Sequence, residues 1–169
     1  MADQDIRDFL TALSAAGVRH LVVGAYALAV HGHVRATGDI DILIEPTPAN
    51  ARRLAAAIRE FAGTSLEYFQ VSIDDLARPG VGFYMGVEPD RIDILTKIAG
   101  VSFERAWKSR TPASIVGVDV HAIGLDTLIA AKRDAVARRP PGTLKDLQDR
   151  ADLAWLLEAR ARRRRARHR

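Results

Sequence analysis

The stretch "TGDIDILIE", residues 37–45, threads two aspartates through isoleucines in strict alternation. A period of two is the mark of a strand whose two faces meet different surroundings. Ile40, Ile42 and Ile44 take one face, which their apolarity assigns to a core, while Asp39 and Asp41 share the other, about two rises of roughly 3.3 Å apart. Two carboxylates held so close on a rigid element repel, and one takes up a proton unless a cation sits between them. A divalent metal resolves the conflict. Oxygen-only ligation suits magnesium or manganese, which keep several waters and share their other positions with substrate phosphates. The plain alternative is a pair of solvated acids on an exposed sheet face.

Downstream, "DRIDILTK" repeats the pattern, with Asp93 between Ile92 and Ile94. Were the two strands neighbours in a sheet, Asp39, Asp41 and Asp93 would converge on one pocket, and Asp93 could also accept a proton from an attacking hydroxyl. Two-metal phosphoryl chemistry uses such a set. The competing account of Asp93 is a salt bridge with Arg91, its neighbour on the same face. Upstream, "RHLVVG" (residues 19–24) reads as a strand ending in Gly24, and "AYALAVHG" as a short helix closed by Gly32. A strand, a glycine and a helix N-terminus in that order can hold a phosphate on free backbone N–H groups. Glycine belongs where backbone and phosphate approach closely.

The remaining chain supplies an α/β frame. "DIRDFLTALSAAG" places Ile6, Phe9, Leu10 and Leu13 on one helical face, with Gly17 at the C-terminal stop. "TPANARRLAAAIREFAG" is a second helix, with Thr47 as N-cap, Pro48 at its first position and Leu54, Ile58 and Phe61 buried. "GVGFYMGVEPDRIDILTK" predicts an antiparallel pair turning at "EPDR"; "SFERAWKSR" predicts a helix and "ASIVGVDVHAI" further strands. From residue 124 the pattern is helical: "GLDTLIAAKRDAVARR", a break at Pro140 and Pro141, then a helix opened by a capping box of Thr143 and Asp146. In this reading Asp146 and Asp149 offset the helix dipole, and His31 does the same at a C-terminus. Tyr26, Tyr68, Phe83, Tyr84, Trp107 and Trp155 are expected in the core or lining grooves, with Tyr84 placed for base stacking. His20, His121 and His168 show no partners in the sequence.

Composition narrows the options. The 169 residues are 48% hydrophobic and 27% charged, contain no cysteine, and hold no apolar run near the roughly 18 residues of a membrane span. Disulfides and zinc–thiolate sites are excluded, and a cytoplasmic protein without membrane insertion is expected. The net charge of +4 is concentrated in "EARARRRRARHR", residues 158–169, which carries seven arginines and one acid. That tail reads either as a solvated helix end or as a contact for nucleic acid through phosphate counterion release.

Taken together, "VVGAYALAVHGHVRATGDIDILIE" resembles the signature of the polymerase-β-like nucleotidyltransferase superfamily, and the later "RIDIL" and the "IGLDTLIAAKRDA" and "LKDLQDRADLAWL" segments are similar to small bacterial nucleotidyltransferases of the AbiEii-type and MNT-type toxin–antitoxin group. The resemblance spans residues 9–157. It implies an α/β (α+β) fold with a mixed nucleotidyltransferase-type sheet backed by helices, divided into a core over residues 1–123 and a helical C-terminal subdomain with its arginine tail over 124–169. It makes Asp39 and Asp41 ligands of Mg2+ or Mn2+, Asp93 the third carboxylate and Gly24 the phosphate-loop glycine, with Ala25 beside it. Arg35 and Thr37 would face the site's mouth, and Lys132 would reach the triphosphate. The family places Gly or Ser where this chain has Ala25, so a hydroxyl is missing while the backbone N–H is kept. The implied activity is transfer of a nucleoside monophosphate from an NTP to a hydroxyl of RNA, such as tRNA, or of a partner protein, with a cognate toxin or antitoxin as a further partner. The runner-up is a non-catalytic antitoxin or regulatory binding protein with the same fold.

Overall fold

The computed structural model describes residues 3–87 and 90–166. Helix α1 (Asp3–Ala15) buries Ile6, Phe9, Leu10 and Leu13, and the chain leaves it through Gly17 at φ 65°. Strand β1 (His20–Val23) is buried along its whole length and runs into α2 (Gly24–Val30) without an intervening loop. Strand β2 (Ile40–Ile44) follows, then α3 (Pro48–Ala62). The α3 cap is as the sequence predicts: Thr47 Oγ1 accepts the Asn50 N–H at 3.3 Å, Pro48 opens the helix, and Gly63 closes it at φ 64°.

A 3₁₀ turn (Leu66–Phe69) and the one-turn α4 (Ile73–Leu76) lead to β3 (Gly82–Val87) and β4 (Asp90–Leu95). Both short helical pieces lack the periodicity that would announce them. Of the expected "EPDR" turn, Glu88 and Pro89 lie outside the described residues, as does His168. Helix α5 (Phe103–Lys108) precedes the hairpin of β5 (Thr111–Ile115) and β6 (Val118–Ala122), after which α6 (Leu125–Arg138) and α7 (Leu144–Ala166) pack on each other. The hairpin turns through Val116 and Gly117, both at positive φ, which suits glycine and strains a β-branched residue.

The six strands form one mixed sheet in the order β3-β4-β2-β1-β6-β5. Strand β1 runs antiparallel to β2 and parallel to β6; β2 runs parallel to β4. One face carries Ile40, Ile42, Ile44, Ile92 and Ile94 against α1 and α3, the core anticipated from the alternation. Full burial of each such side chain is worth about 1.5–3 kcal/mol. The aspartate face is different from a bare polar surface. Leu43, two residues beyond Asp41, is 1% exposed and sits with Leu21, Val23 and Leu28 in a second core under α5, α6 and α7. Asn50 fastens one end of the sheet: its amide accepts the Arg19 N–H at 2.8 Å and donates to the carbonyls of Arg19 and Glu45.

Candidate active site

Strand register brings the acids together. Asp41 and Asp93 are direct partners across the parallel β2–β4 pair, so their side chains leave the same face from strands roughly 4.8 Å apart. On the other flank Val23 pairs with Asp41, and Gly24 follows it. Gly24 has φ 62°, and a Cβ there would lie 1.8 Å from Asp41 Oδ2. Only glycine lets the backbone pass the carboxylate. Asp39 stands just ahead of β2, where its Oδ1 accepts the backbone N–H of Arg91 at 3.2 Å.

Arg91 also reaches the acids with its side chain. Its Nε lies 2.9 Å from Asp93 Oδ1 and 3.9 Å from Asp39 Oδ2, and its Nη2 donates to Asp93 Oδ2 at 3.2 Å. The guanidinium rests 5.2 Å from the Tyr84 ring centroid. The Arg91–Asp93 salt bridge weighed from the sequence is therefore formed. Tyr84 is 59% exposed at the sheet edge, outside the core. Burial raises the Asp41 carboxyl above its ordinary range, and the charges of Asp93 and Asp39 push it further; Lys145 and Lys132 oppose the rise.

Among the described residues, no group of three His, Asp or Glu side chains is gathered tightly enough to hold a metal ion as it stands. The donor chemistry nevertheless fits a hard divalent cation. Magnesium is held by one or two carboxylates plus waters and substrate phosphates, without an all-protein cage. Asp41 and Asp93 in register supply those carboxylates.

Asp41, Gly24 and Ala25 open onto a cleft of about 300 Å³ whose walls carry Arg35, Lys97, Lys132, Arg139 and Lys145. Lys132 is committed: its Nζ lies 2.6 Å from Asp149 Oδ1 and 2.8 Å from Asp152 Oδ2. Arg139 Nε is 2.8 Å from Asp149 Oδ2, while His33 Nε2 and Arg35 Nε face Asp152 Oδ1 at 3.3 and 3.5 Å. These two acids are at most 2% exposed. Asp149 is thus a buried anchor for cations of the cleft, a correction to its expected role at the helix dipole. Asp146 does serve the α7 N-terminus, accepting the Gly142 N–H at 2.9 Å, and its own N–H bonds to Thr143 Oγ1 at 3.1 Å.

The structure gathers Asp39, Asp41, Asp93, Gly24, Ala25, Arg35 and Lys132 at one end of the sheet. Thr37 stays exposed and donates to the Asp39 carbonyl at 3.1 Å, without lining the cleft. His31 differs from expectation: it is 5% exposed, bonded through Nε2 to the Ile123 carbonyl at 2.8 Å, and burial lowers its pKa. A neutral imidazole does not offset a dipole. His20 likewise is buried, with Nδ1 2.8 Å from the Val18 carbonyl.

Sequence reasoning missed Lys97, Arg139, Lys145, Asp152 and the bridging role of Arg91. One signal existed. Asp146, Asp149, Asp152, Leu156 and Ala159 form the buried stripe of α7, so the acids sit in phase with the apolar positions.

No protein-family model matches the chain, and no curated protein matches it in sequence. Solved structures do match. The antibiotic-resistance factor ANT(2'')-Ia, in complex with adenylyl-2''-tobramycin, superposes with a TM-score of 0.57 at 16% identity over 99% of this chain and 98% of its own. Its solution structure gives 0.56 at 17% identity over 98% and 95%. An antigenic nucleotidyltransferase-like protein from Paracoccidioides brasiliensis gives 0.54 at 16% identity over 91% and 75%. At these identities the likeness speaks for architecture, and the architecture is the mixed, helix-backed sheet of the nucleotidyltransferase fold.

Proposed function

We propose that this protein transfers a nucleoside monophosphate from an NTP to an acceptor hydroxyl and releases pyrophosphate. The observation that carries the reading is the in-register pair of Asp41 and Asp93, of which Asp41 opens with Gly24 onto a cationic cleft. Asp39, Asp41 and Asp93 would hold Mg2+ or Mn2+, which supplies charge neutralisation and Lewis-acid polarisation of the phosphates. In the reaction the acceptor oxygen bonds to the α-phosphorus, the bond from that phosphorus to the α,β-bridging oxygen breaks, and a carboxylate oxygen of Asp93 takes the hydroxyl proton. The backbone at Gly24 and Ala25 receives phosphate oxygens. The cations at Arg35, Lys97 and Lys145 offset the triphosphate charge, and Lys132 acts with them from its fixed seat between Asp149 and Asp152.

The bound adenylyl-2''-tobramycin of ANT(2'')-Ia supports nucleotidyl transfer as chemistry this fold can host. For this chain we assign the acceptor to an RNA end, such as that of tRNA, or to a side-chain hydroxyl of a partner protein, within a toxin–antitoxin pair. The placement of Arg91 on Asp93 and Asp39 favours a second reading, a binding protein in which that ion pair closes the site. Incorporation of labelled ATP, CTP, GTP or UTP with manganese, into tRNA or a protein acceptor, separates the two. Transfer abolished by Asp41→Asn supports the enzyme. No transfer with any nucleotide, together with no metal binding by calorimetry, defeats it.

A further inference from the structure

A second charged cleft lies along the same end of the sheet. Val22 of β1 and Ala122 of β6 are register partners on parallel strands, and the Ile123 N–H donates to the Val22 carbonyl at 3.0 Å. Gly24 and Gly124, each two residues farther on, therefore leave the sheet side by side. Gly24 abuts Asp41; Gly124 opens a cleft of about 220 Å³ lined by Ser109, Leu125, Asp126, Arg160, Arg163 and Arg164. The three arginines fall at i, i+3 and i+4 on α7, one helical face, and Arg163 and Arg164 are exposed.

Helix α6 contributes to both clefts. Leu125 lines the arginine cleft, and Leu128, Lys132, Ala135 and Arg139 line the carboxylate cleft, spaced 3, 4, 3 and 4 residues apart along one stripe of α6. From Leu125 to Lys132 is seven residues, about 10 Å of helix. A stacked nucleic-acid strand rises roughly 3.4 Å per nucleotide, so about three nucleotides cover the distance.

We infer that this arginine face holds the phosphate backbone of a single-stranded nucleic acid whose terminal hydroxyl reaches Asp41 and Asp93, an assignment that rests on the transfer activity proposed above. The composition of the cleft selects this occupant. Among the described residues its one large aliphatic lining side chain is Leu125, whereas a docked protein segment needs an apolar core beneath its polar rim. Guanidinium groups match phosphate geometry, and their charge supplies affinity through counterion release.

The test is fluorescence anisotropy with labelled single-stranded RNA and DNA oligonucleotides, titrated with the full chain across a salt series. The Arg163→Gln, Arg164→Gln double variant, at two exposed positions where the thermal melt should stay in place, should bind about tenfold more weakly. Its log–log salt slope should shrink by about 1.4, two contacts at roughly 0.7 each. Binding by the parent chain with no transfer from any NTP counts against the catalytic reading and leaves the surface standing. Equal affinity in the double variant, no binding at low salt, or competition by polyglutamate or anionic vesicles as effective as unlabelled oligonucleotide overturns the inference.

Discussion

Gly24, the first residue of α2 after β1, passes Asp41 of β2 so closely that the site of a Cβ on Gly24 lies 1.8 Å from Asp41 Oδ2. An alanine there meets two penalties, the carboxylate in its path and a backbone at φ 62°. Gly24→Ala should lose about 2–4 kcal/mol of stability by urea denaturation and all measurable nucleotide transfer. In an Asp41→Gly background the same change should cost only the backbone part. Equal losses in both backgrounds would show that the contact does not matter.

Asp41 also predicts a pH dependence. Its folded pKa is raised, chiefly by burial and then by Asp93 and Asp39. The folded state therefore binds the proton more tightly than the unfolded state, and the gain is complete below about pH 4, the ordinary carboxylate range, and lost as pH rises through the elevated folded value. Asp41→Asn removes the group that ionises. Its melting temperature should equal the parent's near pH 4 and exceed it by a few degrees at pH 8. Saturating Mg2+ should raise the parent's melting temperature at pH 8 and leave the variant's unchanged. A parent curve that climbs from pH 4 to 8 relative to Asp41→Asn would contradict the assignment.

Lys132 and Lys145 line one cleft with different duties. Removing Lys132 leaves Asp149 with Arg139 and Asp152 with His33 and Arg35, two buried acids each short of one cation, so Lys132→Met should destabilise by about 1–3 kcal/mol. Adding Asp149→Asn and Asp152→Asn should recover much of that loss. Lys145 is exposed, and Lys145→Met should stay within about 0.5 kcal/mol of the parent while weakening NTP binding by calorimetry. If both lysines behave alike in denaturation, the distinction fails.

The β5–β6 turn offers a stabilising change. Val116 is β-branched at φ 45°, directly before Gly117 at φ 82°. Asparagine tolerates that region, and Asn-Gly is the preferred pair for such a turn. Val116→Asn should add about 0.4–1 kcal/mol, read as a higher urea midpoint at unchanged slope.

How far the sequence discloses the site follows from what each element depends on. The alternation of "DIDILI" and "RIDIL" is local, and it correctly separates Ile40, Ile42 and Ile44 from the acids. The glycine, cap and proline signals mark α1 and α3 for the same reason. The pairing of Asp41 with Asp93 depends on the order of strands, which the spacing of motifs suggests only through the family resemblance. Beyond reach were contacts set by helix packing. Asp149 and Asp152 look like ordinary acids near a helix start until α6 lies against α7 and Lys132 closes on them. His31 looks like a solvated helix end until Ile123, the residue after β6, arrives 92 residues later.

Asp152 has a wider role than that of a lysine partner. His33 stacks on Trp155 at 4.8 Å and points Nε2 toward Asp152, and Arg35 faces the same carboxylate from the segment that delivers Asp39. Loop and helix are thus sewn at one stitch. A motion that lifts α7 draws on the loop through these contacts, which couples opening of the cleft to release of α7. By reciprocity, a ligand that steadies either end steadies the other by the same free energy.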